Sequence, residues 1–297
     1  MYNYLTTGVR HLAWIAIPVG LSGACSRSQA PANTSIPATV LDSSQRPNSN
    51  VLAIYAPGLL NYQLEQHSIV QGRSPRDSTS LESDTVNLTA QVSLVLAMSP
   101  SHLVSVQVHA DSIRSQKTGG TTISVQSSPP INYLLDPFTG RIDSVPTSLK
   151  QDDCRAELSQ VVVSGRELLP VISPSHPTYW TDTTSYSVCR SGILLNIIQV
   201  ARYSAGQNPD VNTRKLFRMT DLIISGTGIQ WGQPISVTGT AITSDTLDFS
   251  AQPNERLQQV RATAQLHITF KSALRSQDFI QTVQSFFEFQ RPGPGSQ

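Results

Sequence analysis

From residue 51 onward the commonest pattern is strict alternation of apolar and polar residues, the signature of strands with one face buried and one wet. VNLTAQVSLVLAM is the clearest case: Val86, Leu88, Ala90, Val92, Leu94, Leu96 and Met98 point one way, while Asn87, Thr89, Gln91 and Ser93 point the other. Leu60, Tyr62 and Leu64 repeat the pattern, as do Val104, Val106, Val108 and Ala110, and more briefly TTISVQ. Asp136, Pro137 and Gly140 separate two apolar segments and predict a hairpin turn. Late in the chain, QVRATAQLHITFK mirrors the first long strand, with Val260, Ala262, Ala264, Leu266, Ile268 and Phe270 on one face. ILLNIIQVA and LFRMTDLIIS are apolar enough to be central strands, GQPISVTGTAITSDTLDFS reads as a hairpin or a pair of short strands, and SFFEFQ closes the sheet.

The period changes once. In DDCRAELSQVVVSGRELLPVI, Leu158, Val161, Val162, Leu168 and Leu169 fall at helical spacing, Asp152 or Asp153 can cap the start, and Pro170 ends the run. This predicts a helix over 152–169 that covers one face of a sheet. Strands, one helix, then strands again predict a mainly β, mainly antiparallel fold spanning 51–290, with two similar lobes over 51–150 and 179–290. No residue-level repeat relates the two halves.

The N-terminal stretch has a different character. Arg10 and His11 precede an apolar run from Leu12 to Leu21, and Ser22, Gly23 and Ala24 close it, which is the layout of a secretory signal peptide over 1–24. The run is roughly ten residues, against about 20 for a membrane-spanning helix. Gly23-Ala24-Cys25 resembles the lipobox of bacterial lipoproteins, cut before a cysteine that carries lipid, although Ser22 stands where that motif usually has Leu. An ordinary signal peptide cut after Ala24 is the competing reading. Two or three acyl chains on Cys25 suffice for stable anchoring. Residues 25–50, rich in Ser, Pro, Asn and Ala, have too little apolar surface to fold and read as a tether spanning about 25–30 Å. At the other end, 291–297 (RPGPGSQ) reads as a disordered tail.

Export accounts for the cysteines. Of the three, Cys25 takes lipid, and Cys154 and Cys189 remain to form a disulfide in an oxidising compartment, worth about 3–4 kcal/mol for a loop of that length; two buried free thiols are the alternative. Neither has a second Cys or His at zinc spacing. A formal charge of +1 and 14% charged residues, with no basic run, exclude an electrostatic nucleic-acid partner.

Catalytic motifs are absent: no Gly-x-Ser-x-Gly, no Ser-x-x-Lys, no His-Glu-x-x-His and no phosphate loop occurs. His67, His102, His109, His176 and His267 read as surface residues, and Asp152, Asp153 and Glu157 as caps or solvated helix residues. The sequence therefore points to a non-enzyme with no metal and no cofactor. Trp180 and Asp182 form the pair to watch, Trp180 as an anchor pinning its loop to the sheet and Asp182 as a partner for nearby backbone.

Gly58-Leu59-Leu60-Asn61-Tyr62 at a strand entry, a long alternating strand, a segment ending Leu168-Leu169-Pro170, and Trp180-Thr181-Asp182 opening the second half together resemble an uncharacterised family of bacterial lipoproteins. The resemblance covers about 55–290. It implies strongly curved antiparallel sheets similar to the half-barrels of the lipoprotein carriers LolA and LppX. It implies a fold far more than an activity, and two readings of a lipid-anchored protein of the cell envelope remain: it binds a hydrophobic small molecule inside the curved sheet, or it docks an envelope protein. In the first case Leu88, Val92, Leu94, Leu96, Trp180, Leu266, Ile268 and Phe270 would line a cavity of about 300 Å³ or more. In the second they would fill a solid core.

Overall fold

The computed structural model describes residues 55–73, 81–118, 120, 122–144, 165–172, 178–190, 193–206, 213–230, 233–250, 256–273 and 276–291. The signal segment, Cys25, the tether, residues 152–164 with Cys154, and the tail beyond Arg291 lie outside them.

Eleven antiparallel strands form one curled half-barrel. The first meander runs β1 (Gly58–Arg73), β2 (Leu81–Met98), β3 (Val104–Lys117), β4 (Thr122–Leu135) and β5 (Ile142–Ser144). The second runs β6 (Tyr179–Arg190), β7 (Ile193–Gly206), β8 (Thr213–Gln230), β9 (Gln233–Ser250), β10 (Leu257–Ser272) and β11 (Ser276–Gln290). The spatial order is β5-β4-β3-β2-β1-β11-β10-β9-β8-β7-β6, so the chain leaves one edge at β5, re-enters at the opposite edge with β6, and winds back to the middle.

The alternation in the sequence is the cause of the curl. Each long strand buries one side of its pleat, and the inward residues of both meanders join a single core that includes Tyr62, Leu64, Val92, Leu94, Val106, Tyr133, Ile197, Leu216, Leu247, Leu266 and Phe287. A flat sheet of this width would leave that face in water, and rolling it lets the face cover itself.

Two predicted lobes are replaced by one sheet. The joint is the β1–β11 pairing, in register from Asn61↔Gln290 to Gly72↔Phe279, which places SFFEFQ at the centre of the sheet. Likewise GQPISVTGTAITSDTLDFS is one strand, β9, and not a hairpin. Gly239 lies within it where a Cβ would collide with the His267 carbonyl of β10, so this glycine permits close strand approach and is not a turn. The two strands expected to be central, β7 and β8, each have a neighbour on both sides, while Ile198 and Ile223 are exposed on their outer face. Met98, at the end of β2, is also exposed.

TTISVQ and INYLL belong to one strand, β4, that runs through Pro129 and Pro130. Among the described residues only Leu134 and Leu135 pair with β5, and Pro129 and Pro130 have no partner in the β3–β4 register. At the prolines the bulge is in β4 itself, where Pro129 and Pro130 face one residue of β3; on its other side β3 carries an extra residue against β2, and Ser112 there sits at φ 53°. The extra residue changes parity, so Ile113 points inward after Ala110.

The predicted hairpin is present. Asp136 Oδ1 accepts the Phe138 and Thr139 N–H groups at 2.8 and 3.0 Å, and the turn ends at Gly140 with φ 70°. A Cβ on Gly140 would also strike the Tyr55 ring. Gly140→Ala should therefore lower stability by about 1–3 kcal/mol, from left-handed strain plus the displaced tyrosine, read as a lower urea midpoint at unchanged m-value. A midpoint within error of wild type would mean that the turn and Tyr55 relax freely.

The helix predicted over 152–169 does not reach its expected end. Residues 152–164 lie outside the described part, and Gly165–Leu168 form a single 3-10 turn closed by the Leu169 N–H on the Arg166 carbonyl. Pro170 forbids continuation of a regular helix. The turn packs on the inner face of the sheet, against β10, with Leu168 and Leu169 in the core.

Candidate functional site

Residues 165–172 are anchored by both meanders. The Ile172 N–H donates to the Thr139 carbonyl at 2.7 Å, and the Val171 N–H donates to the Tyr203 hydroxyl at 3.3 Å. Trp180 Nε1 donates to the Val171 carbonyl at 3.1 Å, and the Tyr55 hydroxyl donates to the Pro170 carbonyl. Arg166 donates to Thr184 Oγ1 at 2.8 Å while its guanidinium lies 4.3 Å over the Tyr186 ring. Leu168, Leu169 and Ile172 are buried in the shared core. Beside this plug, Arg141 from the β4–β5 turn pairs with Asp182 of β6 at 2.8 Å, so side chains bridge the two edges of the sheet.

Between the plug and the inner face lies a cavity of about 40 Å³ whose lining includes Glu167, Asp182, Thr184, Gln199, Tyr203, Arg218, Thr220, Thr243 and Asp245. A water molecule needs about 10–15 Å³ of such space, so the cavity has room for one or a few water-sized occupants. Its charges are deeply buried: Glu167, Arg218 and Asp245 are 5%, 6% and 3% exposed. Arg218 of β8 faces Asp245 of β9 directly in register, its Nε 2.5 Å from Asp245 Oδ2, and its Nη2 donates to the Glu167 main-chain carbonyl at 3.4 Å. Among the described residues, both Glu167 carboxylate oxygens lack a hydrogen-bond partner.

One guanidinium thus serves two carboxylates and binds only one of them through its side chain. Burial, reinforced by the neighbouring Asp245 charge and only partly offset by Arg218, pushes the Glu167 carboxyl well above its usual range. Burial also raises Asp245, against the opposing effect of Arg218 and the Thr243 hydroxyl. For Arg218 burial acts to lower the pKa, but Asp245 beside it outweighs burial and keeps the guanidinium charged. The Tyr186 hydroxyl, also buried, is pushed up to about 12.

The residues expected to line a hydrophobic cavity are found packed. Val92, Leu94, Leu96, Leu266 and Ile268 belong to the buried core, and Leu88, Trp180 and Phe270 pack against it. Of these eight only Leu88 borders a second, open space of about 430 Å³, lined by polar and apolar residues that include Glu65, Asn87, Arg261, Gln284 and Phe286. Trp180 lies in β6, where its indole N–H holds the Val171 carbonyl and its ring stacks on Tyr203 at 5.3 Å, while residues 173–177 of the loop it was expected to anchor lie outside the described residues. Asp182 bonds Arg141 across the edges, and not the neighbouring backbone. His67 pairs with Asn87 at 2.7 Å, His102 occupies a turn at φ 62°, and His102 and His267 are exposed. His176 and Cys154 lie outside the described residues, so the Cys154–Cys189 pairing does too. Among the described residues no group of three or more His, Cys, Asp or Glu is placed to hold a metal ion.

Glu167, Arg218 and Asp245 were not singled out from the sequence, yet a signal exists. Arg218 breaks the inward run Leu216, Arg218, Thr220, Leu222, Ile224, and Asp245 breaks Ala241, Thr243, Asp245, Leu247, Phe249. A charge at the inward parity of each of two sequential strands is a pairing signal once those strands are known to be neighbours. The motif residues Leu168, Leu169, Pro170, Trp180 and Asp182 all gather at the plug or its rim.

No protein-family model matches the chain, and no curated protein matches it. Among solved structures, the chain is similar to a mutant of the Rhodopseudomonas blastica porin at 8% identity, with 78% of this chain and 99% of the porin covered and a TM-score of 0.20. A structure titled "Asymmetric conductivity of engineered proteins" gives 9% identity, the same coverages and a TM-score of 0.22. Likenesses this slight carry no argument about fold or function.

Proposed function

We propose that this protein is an exported, non-catalytic lipoprotein, held on a membrane of the cell envelope through Cys25, whose curled sheet is a solid body that docks a protein partner. The observation that carries the tethering is the order of segments in the chain: a short apolar run closed by small residues, a cysteine, a polar Ser/Pro/Asn-rich stretch, and only then a folded body whose first described residue is Tyr55. Cys25→Ser should move the protein from the membrane to the soluble fraction of fractionated cells. Membrane association equal to wild type would remove this reading.

The docking half rests on the contrast between the two faces. The inner face is packed, whereas the outer face of β7, β8 and β9 leaves Ile198, Phe217, Met219, Ile223 and Ile242 between 44% and 57% exposed, with Ile198 and Ile223 directly opposed. Recovery of lipid alone, and never a protein, by crosslinking in intact cells would count against it. A hydrophobic ligand is the second reading, supported by one feature: the part of the core supplied by Leu168, Leu169 and Ile172 comes from the plug and not from a strand, so its withdrawal would open apolar space. Lipid co-purifying stoichiometrically with the extracted protein would favour that reading.

A further inference from the structure

We infer that the open hollow on the outer face of β1, β2, β10 and β11 is a binding site for a neutral oligosaccharide. This surface is separate from the apolar patch of β7 to β9, so the inference goes beyond the docking of a protein partner and does not depend on it. Strand register sets two adjacent rows of outward side chains across the hollow. In one row Phe286 of β11 stands between Glu65 of β1 and Arg261 of β10, and in the next Asn87 of β2, His67 of β1 and Gln284 of β11 follow one another. All six line the space of about 430 Å³, a volume in the range of small-molecule sites. At a strand spacing of about 4.8 Å, four strands span roughly 14 Å, which suits a chain of a few sugar rings.

Three features of the lining select this class of ligand. Its charges cancel, because it holds one carboxylate, Glu65, and one guanidinium, Arg261, so no local field favours an ionic ligand. Donors and acceptors are interleaved, as sugar hydroxyls require, since each hydroxyl both donates and accepts. His67 Nδ1 donates to Asn87 Oδ1 at 2.7 Å, which leaves the Asn87 amide to donate and His67 Nε2 to accept. Arg261 uses one of its five donors on Gln259 Oε1 at 3.1 Å, and Gln284 carries groups of both kinds. Finally, Phe286 is an aromatic ring set in this polar field, half-buried and with the Arg261 guanidinium 5.7 Å from its centroid. The ring can pack on the C–H face of a pyranose while the planar groups around it bond the hydroxyls at the pyranose edge. The centre of a protein interface is by contrast depleted of charge.

The test is saturation-transfer NMR and calorimetry on the full mature protein with three neutral probes, cellotetraose, maltotetraose and chitotetraose, and one charged probe, tetragalacturonate. At least one neutral probe is expected to bind saturably at millimolar concentration or below, about tenfold more weakly to Phe286→Ala and to Gln284→Ala, and as in wild type to Ile223→Ser on the apolar patch. Gln284 is exposed, so its replacement reads the site without disturbing the core. Phe286→Trp, which keeps an aromatic face, should retain the affinity. No binding of any neutral probe would overturn the inference. Tighter binding of tetragalacturonate than of the neutral sugars would overturn it too, as would an affinity that Phe286→Ala and Gln284→Ala leave unchanged.

Discussion

Arg218→Met is expected to lower the stability of the folded body by about 3–5 kcal/mol, among the largest losses available to a single substitution here. The side chain removed is 6% exposed and joins three elements: it pairs with Asp245 on β9, donates to the Glu167 carbonyl on the plug, and issues from β8. Methionine fills much of its volume, so the loss reports charge and not a void. What remains is Asp245, 3% exposed and without its partner, next to Glu167. A double variant, Arg218→Met with Asp245→Leu, should recover most of the loss, because removing both members of a buried pair leaves no orphan charge. Urea unfolding of the two variants decides the matter. A double variant no more stable than Arg218→Met would show that packing, and not the unpaired carboxylate, sets the cost.

Raising the pH should destabilise the protein through Glu167. Its carboxyl is held well above the usual range by burial first and by Asp245 second, against Arg218. Facing it are Asp245 from β9, Arg218 from β8 and Tyr186 from β6. A group whose folded-state pKa is raised contributes stability that is complete below its unfolded value of about 4.3, and that stability fades as the pH climbs through the folded value. Between the two values the slope approaches about 1.4 kcal/mol per pH unit for one proton. Glu167→Gln keeps the shape of the side chain and carries no titrating group, so its stability should vary less with pH and exceed that of wild type at alkaline pH. Parallel pH profiles for the two proteins would mean that Glu167 does not titrate on unfolding. Asp245, raised in the same direction, adds to the slope in both proteins.

Much of this architecture is legible in the linear pattern. The alternation in VNLTAQVSLVLAM and QVRATAQLHITFK assigns inward and outward residues correctly for Val86, Val92, Leu94, Val260, Leu266 and Ile268, because a pleated strand presents side chains with a period of two whatever it pairs with. The Asp136 turn is equally local: one carboxylate closes it on two adjacent N–H groups. That Trp180 packs its ring and satisfies its N–H follows from the tendency of a large amphipathic ring to do both.

What local pattern does not carry is which strand neighbours which. Alternation is the same in a central strand and in an edge strand, so the pairing of β1 with β11, and with it the replacement of two lobes by one sheet, was decided by long-range register. The same holds for the site. Arg218 and Asp245 are 27 residues apart, and only the β8–β9 register sets them face to face. Glu167 reaches them from 51 residues before Arg218, on a segment whose apolar spacing reads as helix, because Leu168 and Leu169 had to enter a core built by other strands. The sequence by itself determined that the chain is made of one-sided strands and that a lipobox-like cysteine precedes them. The tertiary structure decided that those strands share one rolled core and that three charges meet inside it, since burial and charge pairing are properties of neighbours in space and not in sequence.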